Sequence, residues 1–396
     1  MDVYDYLIVG GGMTAHAAVR GIREIDAVAR IGLLTEEPCP PYRKPPLSKG
    51  LWKGMALDAI GYGTQSLKVK LHPYARGVAL DPELHQVTDA DGELYRYNKL
   101  LLATGGIPRR LPYESQSIVY FRNLADYQWL RARSGQGKRL AVIGGGFIGS
   151  EFAAALAEHG NEVLMIFPEP GIGARILPED LSVFLNHYYE KHNVTVLAGH
   201  TVTRIEQRGE RVVLGLRSVA TGAESQQEAD GVVAGLGILP ADGLARQAGL
   251  TVSDGIEVDA FLRTSHPDIY AAGDVANVFC PALHKRVRVE HEDNALHMGR
   301  CAGRNMAGDA QPYRHLSYFY SDLFDLGYEA VGELDPLLDT FADWTVPHCK
   351  GVIYYRRDER VCGVLLWNVW ERVPSARTLI ESGQPIARSA LNGLIG

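Results

Sequence analysis

Apolar positions along the chain fall into two alternating rhythms, and the same sequence of rhythms occurs twice. Tyr4, Tyr6, Leu7, Ile8 and Val9 form a β-branched and aromatic run that stops at Gly10, Gly11 and Gly12. The alanine-rich stretch MTAHAAVRGIRE follows with helical character, and Arg30 to Thr35 returns to strand. From Arg139 the series repeats: RLAVI, three glycines at 144–146, the apolar helix-former FIGSEFAAALAEHG, then NEVLMIF. Further runs predict buried strands at Lys99–Thr104 and around IYAA, and helices at 124–133, 178–192 and from Glu290 onward. Between them, 67–71 and 77–80 predict short strands and 90–92 a turn. TVLAGHTVTRI, RVVLGL and DGVVAGLG read as strands completing a domain near Gly237. The last eighty residues change character: strands at 328–333, 352–356 and 361–368 precede a closing helix in ERVPSARTLIESG.

The two glycine turns carry chemistry. Gly10-x-Gly12-x-x-Ala15, with Thr14 inside it, joins a strand to a helix in the spacing of a dinucleotide fingerprint. One glycine makes the turn, the next lets backbone approach a pyrophosphate, and the small third residue lets helix pack on strand. The helix start offers amide donors and a positive dipole end to phosphate. Glu36, at the end of the second strand, suits a ribose hydroxyl. Gly144-x-Gly146-x-x-Gly149, with Phe147 and Ile148 opening the helix, ends likewise at Glu169. Gly10 to Glu36 spans 26 positions and Gly144 to Glu169 spans 25, so the copies run in phase. Glu169 favours NADH, because a carboxylate repels the 2′-phosphate of NADPH; Arg175 nearby softens that preference. The expected class is α/β: two Rossmann-like dinucleotide-binding domains, one inserted in the other, and a C-terminal α+β domain. The expected boundaries are 1–112 with 238–314, 113–237, and 315–396.

Composition narrows the setting. At 396 residues the chain exceeds one ordinary core. Its 40 basic and 47 acidic residues imply no general attraction to nucleic acid. No apolar run reaches the roughly 18 residues of a membrane span, and the first strand begins too near Met1 to leave room for a leader. Cys39, Cys280, Cys301, Cys349 and Cys362 are scattered without metal-ligand spacing, so no metal is expected. Reduced thiols and no leader point to the cytoplasm.

Other stretches look aimed. Five prolines within Pro38–Pro46 predict a stiff extended loop delivering Lys49. Thr104, Gly105 and Gly106 end a buried strand where backbone passes close to a ligand, and Gly273 and Asp274 end another. A helix start at Glu290 and His291 faces developing negative charge, or is ordinary first-turn chemistry.

The ordered motifs GGGMTA, PPYRKPPLSK, LLATGG, IGGGFIGSE, IYAAGDVA and VEHEDNA resemble the two-dinucleotide flavoprotein reductases, which include the ferredoxin reductases of oxygenase systems. SDLFDLGYEAVG, KGVIYYRRD and VLLWNVWERVPSAR extend the resemblance over nearly the whole chain, toward the apoptosis-inducing-factor branch. That resemblance implies bound FAD and exchangeable NADH. It implies Gly10, Gly12, Thr14, Ala15, Glu36, Lys44, Thr104, Gly105, Arg109, Asp274, Glu290, His291 and Tyr320 around FAD, and Gly144, Gly146, Phe147, Ile148, Glu151, Glu169, Arg175 and Gly237 around NADH. Lys49 and Glu151 are implied as an ion pair at flavin N5, Lys49 favouring reduced flavin. Two positions depart from the pattern: Tyr320 replaces a tryptophan, and Lys44 an arginine that contacts FAD. The implied function is electron transfer from NADH to a ferredoxin-like protein or a small acceptor such as a quinone. One alternative is a slow redox sensor whose long-lived charge-transfer complex with NADH alters association, forming a homodimer on reduction. A thiol-dependent reductase using Cys39 is the third reading, against which stands the lack of a paired cysteine.

Overall fold

The computed structural model describes residues 2–112 and 116–395. By its contacts the chain forms two compact units: residues 1–44, 56–107 and 239–319, and residues 45–55, 108–238 and 320–396. The fold is α/β, with strands gathered into several sheets and few helices.

In the first unit a seven-stranded sheet is centred on Asp2–Val9. This strand lies parallel between Ile31–Leu34 and Leu94–Leu102, and Ile269–Ala271 lies parallel on the far side of Leu94–Leu102. Strands covered on both faces read as continuous apolar runs, which is why LIV, GLL and LLL mark them. Register aligns the ends: Val9 pairs with Leu34 and Leu102, and Leu102 with Ala271. Gly10, Thr35, Ala103 and Ala272 therefore leave the sheet at one level, the carboxyl edge where open α/β sheets bind ligands. The first helix, Met13–Ile25, packs on Glu292–Met306 through small residues. A Cβ on Gly299 would lie 2.4 Å from the Thr14 carbonyl oxygen, and one on Gly303 2.1 Å from that of Ala18. Backbone meets backbone there, so glycine is required.

In the second unit five parallel strands run in the order Val194–Ala198, Glu162–Phe167, Arg139–Ile143, Gly231–Ala234, Ile118–Tyr120. Ile143 pairs with Ile166 and Ala234, again bringing strand ends level. A three-stranded antiparallel sheet, 200–229, and a five-stranded sheet over Tyr318–Trp367 with the helix Val373–Ser382 complete the unit.

Several local expectations shift. The proline-rich segment runs as an irregular loop through Lys44 and only then tightens into two 3₁₀ turns, Pro45–Ser48 and Gly50–Lys53, since proline's fixed φ suits either state. Burial of Pro46, Leu47, Leu51 and Trp52 selects the turns. The helix expected from Glu290 begins at Glu292, with His291 as its extended N-cap. Glu224–Ala229 and Asp339–Val346 are strands that polar, partly exposed sequences concealed.

Candidate functional site

The first cradle is a turn only glycine can make. Gly10 has φ of +115°, and a Cβ there would sit 2.1 Å from the Ala103 carbonyl oxygen. Gly12 then enters the helix with no side-chain cap on the first amides, and a Cβ on it would meet nothing within 4 Å. Ala15 is fully buried beneath and Thr14 nearly so. Gly273, φ +78°, packs onto Thr14, so the turn carrying Asp274 closes against the same helix start. Glu36 lies exposed just past the second strand. The Thr104 hydroxyl donates to the Ala241 carbonyl at 2.8 Å and Gly105 has φ of +67°, fixing that strand end.

The second cradle repeats these values. Gly144 has φ of +118°, and a Cβ there would lie 2.4 Å from the Gly235 carbonyl oxygen. Gly146 has φ −85° and ψ −167°, against −92° and −167° at Gly12, again uncapped and open in front. Gly149 must be glycine, its Cβ site being 1.9 Å from the Gly144 carbonyl oxygen. Phe147 is half-buried and Ile148 exposed. Glu169 is bound by Arg175, Nη2 to Oε1 at 2.7 Å. Gly237, φ +83°, accepts the Arg109 backbone N–H at 2.9 Å.

Neither helix start carries a side-chain cap at its glycine, and the space in front of each glycine is open, an arrangement that fits a phosphate in both places. The first cradle gathers Gly10, Gly12, Thr14, Ala15, Glu36, Thr104, Gly105 and Asp274 at one sheet edge. Arg109 and Tyr320, expected with FAD, fall in the unit holding the second cradle. Lys44 is engaged by Glu37 at 3.2 Å and lies over the Tyr42 ring, while neighbouring Arg43 reaches Glu292 at 4.0 Å. Glu290 pairs with Arg288 at 2.7 Å. His291 stacks on Phe319 with ring centres 4.2 Å apart, and burial pushes its pKa down to about 4, leaving a neutral imidazole at pH 7.

Lys49 and Glu151 do form an ion pair, at 2.6 Å, with both side chains largely buried. Two serines, Ser48 and Ser321, bind the same carboxylate. Ser48 stood in plain view beside Lys49; no sequence pattern marked Ser321. A third cluster also escaped: His315 and His297 bind the two oxygens of Asp293 at 2.5 and 3.2 Å. Their rings are stacked, 3.8 Å apart and 13° from parallel, so one ion could not lie in both ring planes. The His297 Nδ1 also meets the Asp293 carbonyl oxygen at 2.9 Å. This trio is a hydrogen-bonded anchor for the start of the helix Glu292–Met306. Cys39 is not an activated thiol: burial first, and the Glu37 charge second, raise its pKa.

One glycine cradle, built twice at the carboxyl ends of parallel strands, fits the class of dinucleotide-dependent oxidoreductases, and comparison with known proteins shows that class to be flavin- and pyridine-nucleotide-dependent. Residues 4–299 match the family model described as pyridine nucleotide-disulphide oxidoreductase, and 302–348 with 345–382 match the C-terminal domain of apoptosis-inducing factor. The chain belongs to the pyridine nucleotide-disulphide oxidoreductase family, as an apoptosis-inducing-factor-like member using FAD and NAD(H). Apoptosis-inducing factor 1, mitochondrial, of Dictyostelium discoideum is 33% identical over 96% of this chain and 79% of its own length. The ferredoxin–NAD(+) reductase component of the anthranilate 1,2-dioxygenase system of Burkholderia cepacia is 34% identical over 97% and 95%. The crystal structure of a covalent putidaredoxin reductase–putidaredoxin complex aligns with a TM-score of 0.90 at 27% identity, covering 99% of this chain and 95% of that one. No helix among the described residues is long and apolar enough to cross a membrane.

Proposed function

We propose that the protein passes electrons from NADH through FAD to a ferredoxin-like protein. The observation that carries this is the glycine turn built twice to nearly the same dihedral angles; one copy would hold a resident dinucleotide and the other an exchangeable one. FAD, when bound, supplies a ring that accepts hydride from NADH and releases electrons singly. Gly10, Gly12, Ala15 and Glu36 would hold its adenosine and pyrophosphate. Thr104, Gly105 and Asp274, at the neighbouring strand ends, would hold more of it, together with Lys44, Arg109 and the pair Glu290 and His291. A neutral His291 adds no cation and can present one donor and one acceptor. Gly144, Gly146, Phe147, Ile148 and Gly237 would take NADH, with Glu169 on its ribose. Positioning then supplies most of the rate. Lys49 would favour the reduced, negatively charged flavin, its own ammonium held by Glu151 and overlaid by Tyr320. Relatives named for ferredoxin reduction support the acceptor class. Five scattered cysteines without C-x-x-C spacing support a reducing compartment such as the cytosol.

The C-terminal match to apoptosis-inducing factor favours a second reading, a slow sensor whose reduced state is long-lived and changes association, forming homodimers. Stopped-flow reduction with NADH, followed by turnover with a ferredoxin, a quinone and oxygen, separates the two. Rapid reoxidation by ferredoxin is expected. A reduced state that outlasts every acceptor, with a shift on size exclusion, would establish the sensor instead. Lys49→Ala is expected to slow flavin reduction while FAD stays bound.

A further inference from the structure

Glu151 is 5% exposed, yet none of its carboxylate is left without a donor. Ser321 Oγ donates to Oε1 at 2.8 Å, Ser48 Oγ to Oε2 at 2.7 Å, and Lys49 Nζ stands 2.6 Å from Oε2. Ser321 is completely buried and Ser48 nearly so. A hydroxyl has one proton to give: near Ser48 the Pro45 carbonyl lies at 3.4 Å, a far weaker contact, and Ser321 also meets the buried Tyr328 hydroxyl, which can donate in turn to the serine oxygen. The donors come from three places: the turn Pro45–Ser48, Lys49 just beyond it, and the strand Tyr318–Leu323. That strand also carries Tyr320, whose ring lies 5.1 Å from Lys49 Nζ. The ammonium is thus bracketed by a carboxylate whose orientation is fixed and by an aromatic face. A buried carboxylate with a free oxygen would turn toward any available donor, and the ammonium would follow it.

We propose that Ser321 and Ser48 are positioning residues for the Lys49–Glu151 pair, locking the carboxylate so that the ammonium stays where it favours reduced flavin. The inference rests on the reading of Lys49 given above. It gives the C-terminal segment, which has no dinucleotide signature, a direct part in setting the redox balance.

The test uses the FAD-loaded protein and two readouts, flavin midpoint potential and the rate of reduction by NADH. Lys49→Ala is measured first and should lower the potential and slow reduction. Ser321→Ala and Ser48→Ala should each lower the potential and slow reduction roughly tenfold, with FAD content unchanged, as loss of a hydrogen bond to a charged group predicts. In a Glu151→Gln background, Ser321→Ala should change the rate less than about twofold and leave the potential unshifted, because the oriented charge is already gone. Ser321→Thr, which keeps the hydroxyl, should restore both. Lowered thermal stability with unchanged potential, or additive effects of Ser321→Ala and Glu151→Gln, would overturn the proposal. An unaltered potential in Lys49→Ala sinks the reading of Lys49 and the inference together; an altered one with both serine variants silent sinks the inference alone. If Ser321→Ala does not retain FAD, Ser48→Ala, on another element, carries the test.

Discussion

Paired glycines at each cradle do different jobs, and alanine separates them. Gly10 and Gly144 hold positive φ with a carbonyl oxygen where Cβ would go, so Gly10→Ala or Gly144→Ala should cost several kcal/mol, about 2–4, read as a lowered melting temperature. Gly12 and Gly146 have ordinary dihedrals and open space. Gly12→Ala should leave the melting temperature of cofactor-stripped protein unchanged but reduce FAD retention; Gly146→Ala should raise the KM for NADH at full FAD content. The turn-making positions, Gly10 and Gly144, were legible from spacing alone. His16 was not: it is buried, stacked on Tyr62 with Nδ1 2.9 Å from Thr64 Oγ1, and burial, then the Arg20 charge, lowers its pKa from 6.5 to about 4. A histidine kept neutral in the fold but protonated when unfolded stabilises fully above pH 6.5 and loses that contribution as pH falls toward 4. Denaturant unfolding of His16→Gln should therefore show a flatter loss of stability between pH 6.5 and 4.5, by no more than about 3 kcal/mol. Nothing local in the sequence distinguishes this histidine from an exposed one, since its partners lie far along the chain.

At the scale of elements, apolar runs told the truth and polar ones misled. Strands such as Ile31–Leu34, buried throughout, announce themselves, whereas Glu224–Ala229 carries scarcely an apolar side chain and is held by its ladder to Arg211–Ser218. Proline counts gave stiffness but not shape around Pro45, because tertiary burial chose between two states of similar local energy. Two residues past the strand Glu162–Phe167, the acid proposed for the NADH ribose is tied to a neighbour: Arg175 binds Glu169 while 79% of its own side chain is exposed. Glu169→Ala removes the repulsion of a 2′-phosphate and frees that guanidinium. The ratio of kcat/KM for NADPH over NADH should rise at least about tenfold, measured by steady-state oxidation of each coenzyme. If the ratio does not move, coenzyme choice lies elsewhere.

For the molecule as a whole, the duplicated cradle and the resemblance of the motifs sufficed to reach the class of chemistry. The grouping of residues 45–55 with the inserted and C-terminal segments was not legible, because it depends on contacts between stretches remote in sequence, as at Ser48, Glu151 and Ser321. Cys39→Ser should leave NADH oxidation unchanged, since the thiol's raised pKa gives it little thiolate at neutral pH; lost turnover would reopen the thiol reading. The division into two units has one more outcome. All five tryptophans, Trp52, Trp129, Trp344, Trp367 and Trp370, belong to the second unit, and the first has none. Indole fluorescence thus watches only one half of this chain come apart, while circular dichroism sums both halves. Superimposed melting curves from the two probes would mean the halves fail together; an offset would measure how far one outlives the other.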